Sequence, residues 1–170
     1  MPNTAAVLNA LSRDEAARVL ATCCGATRWV QAMLQARPFA SDAALLDACS
    51  RAFAGILRED FLEAFSHHPR IGAQPAEIAV HAGASAELAR DEQAGAASAD
   101  QATREQLREA NQLYAERFGY IFLVCAKGKG ASEMLELLRA RLHNDPETEL
   151  RIAAGEQVKI TRLRLDRLAS

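Results

Sequence analysis

The chain contains 170 residues, of which 49% are hydrophobic, 5% aromatic and 25% charged, and its net charge is -2. This length favours a single domain over residues 1–170, and abundant alanine with few aromatic residues favours an all-α fold. The near-neutral charge argues against nucleic-acid binding. No stretch resembles a signal peptide or a membrane span of roughly 20 apolar residues, so we expect a cytoplasmic protein with no membrane partner.

Two short helices are predicted in the first part of the chain. Ser12 and Glu15 form a capping-box pattern, and apolar residues then recur at helical spacing until Gly25. Thr27 can cap a second helix. That helix should end before Pro38, because the residue preceding a proline disfavours helical geometry.

A longer helical region follows and leads to two adjacent histidines. Ser41 is a predicted N-cap, and an apolar stripe continues, with room for a break near Arg58, up to His67 and His68. Pro69 should end this region and leave both imidazoles at the C-terminal end of a helix.

Small residues dominate the middle of the chain. Residues 73–100 are rich in alanine and glycine, which predicts a loop with one or two short helices. A longer helix is then expected from about Asp100 to Arg117, where apolar residues recur on one side. Gly119 supplies the signal that ends it.

The run "YIFLVCA" at residues 120–126 is the only strongly β-like run in the sequence. A lone strand cannot form a sheet, so this run is either an extended connection between helices or a buried helical continuation. We favour the extended connection.

Two further helices are predicted near the C-terminus. One starts at Ser132 and ends near Asn144, and the other has Asp145 as its N-cap, Pro146 as its first residue and an end near Leu168. The sequence as a whole therefore predicts a single-domain bundle of about eight helices with one short extended segment near 120–126.

The four cysteines show no pattern typical of disulfides or zinc sites. They lack the CxxC spacing and a secretory context, so buried reduced thiols are expected. These residues are Cys23, Cys24, Cys49 and Cys125.

The histidine pair allows several interpretations: a metal pair, one catalytic residue with a bystander, or two solvated or capping side chains. The negative end of a helix favours the imidazolium form, which suits a proton donor. Neighbouring helical side chains point about 100° apart, so at most one of His67 and His68 should serve a site. No metal is expected, because His81 and His143 do not supply a known ligand spacing.

Several motifs together carry a family resemblance that none of them carries alone. Glu92 and Gln93, for example, would by themselves fit a solvated helix turn. The combined pattern resembles the 2-oxo-4-hydroxy-4-carboxy-5-ureidoimidazoline (OHCU) decarboxylase family over nearly the whole chain. The motifs are "ARPFAS" at 36–41, "HPRIG" at 68–72, "EQAG" at 92–95, "NQLYAERFGYIFLVCAKGKG" at 111–130 and "RLHNDPETELRIAAGEQVKITRLRLDRL" at 141–168.

The resemblance implies an all-helical homodimer that decarboxylates OHCU to (S)-allantoin in urate breakdown without a cofactor. It also implies functional coupling to hydroxyisourate hydrolase, the enzyme that would supply the substrate. His68 would be the catalytic acid/base residue, with His67 as the bystander, and Glu92 would orient the substrate or the imidazole. The remaining substrate contacts would come from Pro69, Ala89, Gln93, Phe122, Leu123, Val124, Cys125 and Ala126.

Three positions depart from the family pattern. Tyr120 and Ile121 replace the common phenylalanine and proline and are expected to adjust the turn more than the chemistry, whereas Ala89 is the important departure. The family usually has a serine three residues before the glutamate, in the pattern SxxEQ, whereas this chain has Ala89 in "ARDEQ". A hydrogen bond to a charged group is worth on the order of 1.5 to 3 kcal/mol. Loss of this hydroxyl raises the alternative of a weakened or inactive member that acts as a ligand-binding or partner-scaffold protein.

Overall fold

The structure is a computed structural model that describes residues 3–169, apart from the side chain of His81. Over this range the chain forms eleven α-helices, one short 3₁₀ helix (Gly83–Ser85) and no β-strand, which confirms the predicted all-α class. The helices are α1 (Thr4–Ala10), α2 (Arg13–Cys23), α3 (Thr27–Gln35), α4 (Asp42–Ala54), α5 (Arg58–Ser66), α6 (Pro75–Ala82), α7 (Ala86–Glu92), α8 (Ala94–Ala97), α9 (Gln101–Phe118), α10 (Ala131–Arg141) and α11 (Pro146–Arg167).

The predicted count of about eight helices was too low for two reasons. The short helix α1 was missed, although its Asn3 N-cap accepts a hydrogen bond from the Ala6 amide at 3.0 Å. The alanine-rich stretch at 73–100 contains three α-helices, α6 to α8, where one or two were expected. These helices have few large apolar side chains, so the usual periodic signal is weak.

The chain divides into two compact units, residues 3–64 with 158–169 and residues 65–157. Helices α5 and α11 each contribute residues to both units. The first unit has an apolar core of its own, in which Trp29 and Phe53 lie with ring centroids 5.6 Å apart. None of the helices within residues 3–169 combines the length and apolarity needed to cross a bilayer.

Three of the four cysteines lie in the core of the first unit as free thiols, as predicted. Burial raises the pKa of Cys23 and of Cys24 to about 12, and that of Cys49 to about 11. Cys125 differs from the prediction because its side chain is only partly buried.

The predicted caps are mostly confirmed in the first unit. Ser12 and Glu15 form both hydrogen bonds of a capping box, and Ser41 Oγ accepts from the Ala44 amide at 3.1 Å. The Thr27 cap was wrong. Thr27 is instead the first residue of α3, and its hydroxyl donates to Glu63 Oε1 at 2.5 Å.

The second unit contains the extended segment, in residues 121–126, which confirms the favoured interpretation of the β-like run. Asp100 caps α9 at its start, and Gly119 ends it in a left-handed conformation (φ 80°). Helix α10 packs against α9. Their core side chains enclose the aromatic ring of Phe122 and the side chains of Val124 and Ala126. The segment therefore runs through the core of this unit.

Gly95, in α8, approaches the backbone after this segment too closely for a side chain. A Cβ atom at position 95 would lie 2.0 Å from the Lys129 carbonyl oxygen. We expect Gly95→Ala to lower the free energy of unfolding by about 1–3 kcal/mol, which is the usual cost of overpacking a core. Urea denaturation measures this change. Gly155→Ala in α11 is the matched control, because its Cβ would meet no described atom within 4 Å. The control should be neutral or stabilising, and a similar loss in both variants would contradict this account.

Candidate active site

The two histidines lie just after the end of α5 and have different surroundings. Helix α5 ends at Ser66, and the His68 amide donates to the Phe65 carbonyl at 3.1 Å. His67 is exposed, whereas His68 is 7% exposed and the following Pro69 is also buried. The two imidazoles therefore differ in burial, and the prediction that at most one of them serves a site stays a prediction.

The imidazole of His68 has a buried partner and borders a cavity. Its Nε2 lies 2.9 Å from Oε1 of Gln157, a residue of α11 that is fully buried. The cavity has a volume of about 360 Å³, large enough for a small heterocycle. Its described lining residues are Ser66, His68, Arg70, Ala73, Glu77 and Ile121.

Arg70 and Glu77 give this cavity one cationic and one anionic side chain beside the imidazole. The arginine provides planar N–H donors suited to a carboxylate, and the glutamate provides acceptors suited to N–H groups. The cavity therefore has the chemistry to bind a small molecule that carries both kinds of group, next to a proton-transfer residue.

Gln93 holds the loop that follows His68. Its Oε1 accepts from the Gly72 amide at 3.0 Å, and its Nε2 makes a longer contact of 3.5 Å with the Pro69 carbonyl. Asn111 holds the same loop from α9, because its Nδ2 donates to the Ile71 carbonyl at 3.1 Å. The family resemblance predicts that Gln93 contacts the substrate. In the structure its side chain binds main-chain atoms of the loop that follows His68.

Glu92 lies at the end of α7 and is buried. Burial raises the pKa of the Cys125 thiol, and the negative charges of Glu156 and, to a lesser degree, Glu92 raise it further. Glu92 is therefore close enough to Cys125 for their charges to interact. Neither Glu92 nor Cys125 is among the described residues that line the cavity at His68.

The extended segment offers mainly backbone groups to a ligand. The side chains of Phe122, Val124 and Ala126 belong to the apolar core, and Leu123 is also buried. Any contact that these residues make with a polar ligand is consequently through main-chain atoms. Two of those atoms are already bound, because the Leu123 carbonyl accepts from Arg141 at 2.8 Å and the Cys125 amide donates to Glu156 at 2.7 Å.

Ala89 lies in a small apolar cluster with Ile78 and Ala82 and is 2% exposed. Ser85, four positions earlier, is buried, and its Oγ donates to the Ala82 carbonyl at 3.1 Å. The hydroxyl of that neighbouring serine is thus directed to its own backbone.

Four residues near the candidate site were not found from the sequence: Arg70, Glu77, Glu156 and Gln157. Arg70 had a signal, since it follows His68 by two positions within "HPRIG". Gln157 lies within the motif quoted at 141–168, but nothing local links it to His68, because 89 positions separate the two residues. Within the described residues, and leaving aside the His81 side chain, no three His, Cys, Asp or Glu side chains converge as metal ligands.

The described residues form an all-helical fold in which a buried histidine before proline borders a small cavity that one arginine and one glutamate also line. This arrangement suits a protein that carries out acid/base chemistry on a small molecule. The family model described as OHCU decarboxylase matches residues 9–166, and the chain belongs to this family.

Known relatives extend this family assignment. The Uric acid degradation bifunctional protein TTL of Arabidopsis thaliana is 36% identical over 148 residues, which are 87% of this chain and 45% of that protein. The mouse (Mus musculus) 2-oxo-4-hydroxy-4-carboxy-5-ureidoimidazoline decarboxylase is 42% identical over 73 residues, which are 43% of this chain and 41% of the relative. The chain thus spans less than half the length of these two relatives.

A solved structure shares the fold over most of both chains. It is the crystal structure of an OHCU decarboxylase in the presence of (S)-allantoin, with a TM-score of 0.73 and 34% sequence identity. The similarity covers 87% of this chain and 94% of that one.

Proposed function

We propose that this protein decarboxylates OHCU to (S)-allantoin in urate degradation. The observation that carries the proposal is the buried imidazole of His68 beside a cavity with one arginine and one glutamate, in a chain of this family. The substrate is an anion with ureido N–H groups, so its chemistry matches these lining side chains.

The reaction places limited demands on the protein. The bond between the ring carbon and the carboxylate breaks, CO₂ leaves, and the neighbouring ring C=N accepts the electron pair. The nitrogen that receives this electron pair takes up a proton from solvent. The hydroxyl then loses its proton to become a carbonyl, and the neighbouring ring carbon gains one. His68 is the group proposed to move a proton, either at the hydroxyl or at the carbon, and a single proton source on one face gives a single enantiomer.

Other residues would bind and orient the substrate. Arg70 would attract the substrate carboxylate, and Glu77 would accept from the ureido N–H groups. Glu92 would orient the substrate or the imidazole. Gln93 would keep Pro69 and the loop after His68 in place, as its hydrogen bonds to that loop indicate. Main-chain groups of residues 122–126 would contact the ring.

In the assay that tests this proposal, the unstable substrate is generated from urate in the reaction mixture. Urate is treated with urate oxidase and hydroxyisourate hydrolase, and the circular dichroism of allantoin is followed with and without this protein. Optically active allantoin should form faster with the protein than without it. A rate equal to the spontaneous background would refute the proposed decarboxylase activity.

Ala89→Ser should raise kcat/KM by on the order of tenfold. The serine restores the hydroxyl of the family pattern, and one hydrogen bond to a charged group is worth roughly that factor. The same circular dichroism assay measures it, with Ala86→Ser as a control on the same helix. No increase would mean that the hydroxyl is not needed here. An inactive protein that gains activity from Ala89→Ser would support the scaffold alternative, which rests on Ala89.

The cellular setting is also part of the proposal. We infer a cytoplasmic homodimer in which residues 1–170 act as a single decarboxylase domain, coupled to hydroxyisourate hydrolase through its product. The Arabidopsis relative is named a bifunctional uric acid degradation protein, which supports such coupling.

A further inference from the structure

We propose that Gln157 is a positioning residue for His68, and that it holds a proton on Nε2 so that the ring exchanges its proton through Nδ1. This inference rests on the proposed function. It names a residue that orients His68 and the ring nitrogen through which His68 exchanges its proton.

The geometry of the pair determines which ring nitrogen carries the hydrogen. Oε1 of Gln157 is an amide oxygen, which can only accept, so Nε2 of His68 at 2.9 Å must be the donor. This holds for the neutral ring and for the imidazolium. The proton that is gained and lost is therefore the one on Nδ1.

Burial makes this hydrogen bond important for the orientation of the ring. His68 is 7% exposed and Gln157 is fully buried, so water does not readily replace either partner. A buried donor or acceptor left unpaired is costly, and rotating the imidazole by half a turn would break the bond. The amide therefore selects one ring orientation as well as one tautomer.

The neighbouring residue on α11 holds a second part of the proposed site. Oε2 of Glu156 accepts from the Cys125 amide at 2.7 Å. Adjacent side chains on a helix point about 100° apart, so Glu156 and Gln157 can reach different groups from one turn. One turn of α11 therefore sets the position of the imidazole relative to the extended segment.

An amide suits this position better than a carboxylate. A carboxylate beside the ring would stabilise the imidazolium and slow release of the proton, whereas the neutral amide favours neither charge state as strongly. Residue 157 thus orients His68 without placing a charge of its own on the Nε2 side of the ring.

Long-range ¹H–¹⁵N correlation spectra of the labelled protein test the tautomer directly. They are recorded at a pH at which the imidazole is neutral. We expect His68 to carry its hydrogen on Nε2 and to have an unprotonated Nδ1. A His68 ring with its hydrogen on Nδ1 would overturn the inference, without reference to activity.

Two variants of Gln157 test its role in positioning. Gln157→Met removes the acceptor at similar size, and we expect loss of the single tautomer and a kcat lower by on the order of tenfold. Gln157→Glu keeps an acceptor oxygen at the same reach, so it should retain the Nε2–H tautomer. Gln112→Met, at an exposed position on α9, is the matched control and should match the unsubstituted protein.

These measurements separate the two proposals. A Gln157→Met protein that keeps both the tautomer and the unsubstituted rate would overturn the role of Gln157. If Gln157→Met does not fold, the spectra of the unsubstituted protein and of Gln157→Glu still decide the tautomer. Absence of decarboxylation by the unsubstituted protein would refute the proposed function, while the spectra would still show whether Gln157 sets the His68 tautomer.

Discussion

His68→Ala should lower the rate of (S)-allantoin formation by about 10²- to 10⁴-fold, the usual contribution of one positioned acid/base group. The imidazole is the proposed proton-transfer group of the cavity, and alanine cannot replace it. The rate is measured by circular dichroism, with the substrate generated from urate in place. The far-ultraviolet spectrum of the variant should stay helical, because His68 lies after the end of α5; urea denaturation should show a modest loss of stability, since the substitution removes the buried hydrogen bond to Gln157.

His67→Ala is the matched control for this prediction. It removes the same side chain one residue earlier, at a position that is exposed. We expect nearly full activity from this variant. Equal losses in the two variants would contradict the assignment of His68 within the pair, and would indicate that the whole turn after α5 matters more than either imidazole.

Local sequence signals predicted the helix boundaries well wherever a boundary depends on a few neighbouring residues. Asp145 and Pro146 placed the start of α11, and the Thr148 amide does donate to Asp145 Oδ1 at 3.0 Å. Gly119 placed the end of α9 in the same way. Such caps are formed within one turn of chain, so they can be found without knowledge of the fold.

Boundaries that depend on distant residues were predicted less well. The hydroxyl of Thr27 can cap a helix, but Glu63 in α5 accepts its hydrogen bond. A carboxylate 36 positions away leaves no local signal. The same limit applies to α6 to α8, whose alanines give almost no contrast between buried and exposed faces.

The candidate site shows this difference between local and distant information most clearly. Helix geometry indicated that one histidine at most would serve a site, and family resemblance selected His68. Neither could identify Gln157, whose amide reaches the imidazole from another helix. The resemblance also placed Gln93 among the substrate contacts, although its hydrogen bonds to Gly72 and Pro69 are explained only by the folded loop.

A buried charge cluster supports the extended segment and leads to the largest expected effect on stability. Glu149 is fully buried and accepts from Arg141 Nε at 2.7 Å, from Asn144 Nδ2 at 2.8 Å and from the Tyr114 hydroxyl. Burial, together with the hydrogen bond to Glu149, raises the pKa of Tyr114 well above its usual value, so the phenol stays a donor. Arg141 in turn donates to the Leu123 carbonyl at 2.8 Å.

Glu149→Ala should therefore lower the free energy of unfolding by about 3–5 kcal/mol, because it leaves the guanidinium of Arg141 buried without its counter-charge. Urea denaturation followed by circular dichroism measures the change. Glu109→Ala, at an exposed position on α9, is the control and should stay close to the unsubstituted protein. Glu149→Gln keeps the size and one acceptor oxygen, so its loss should be intermediate. If Glu149→Ala were no more destabilising than Glu109→Ala, the cluster would not be what holds the Leu123 carbonyl and the extended segment in place.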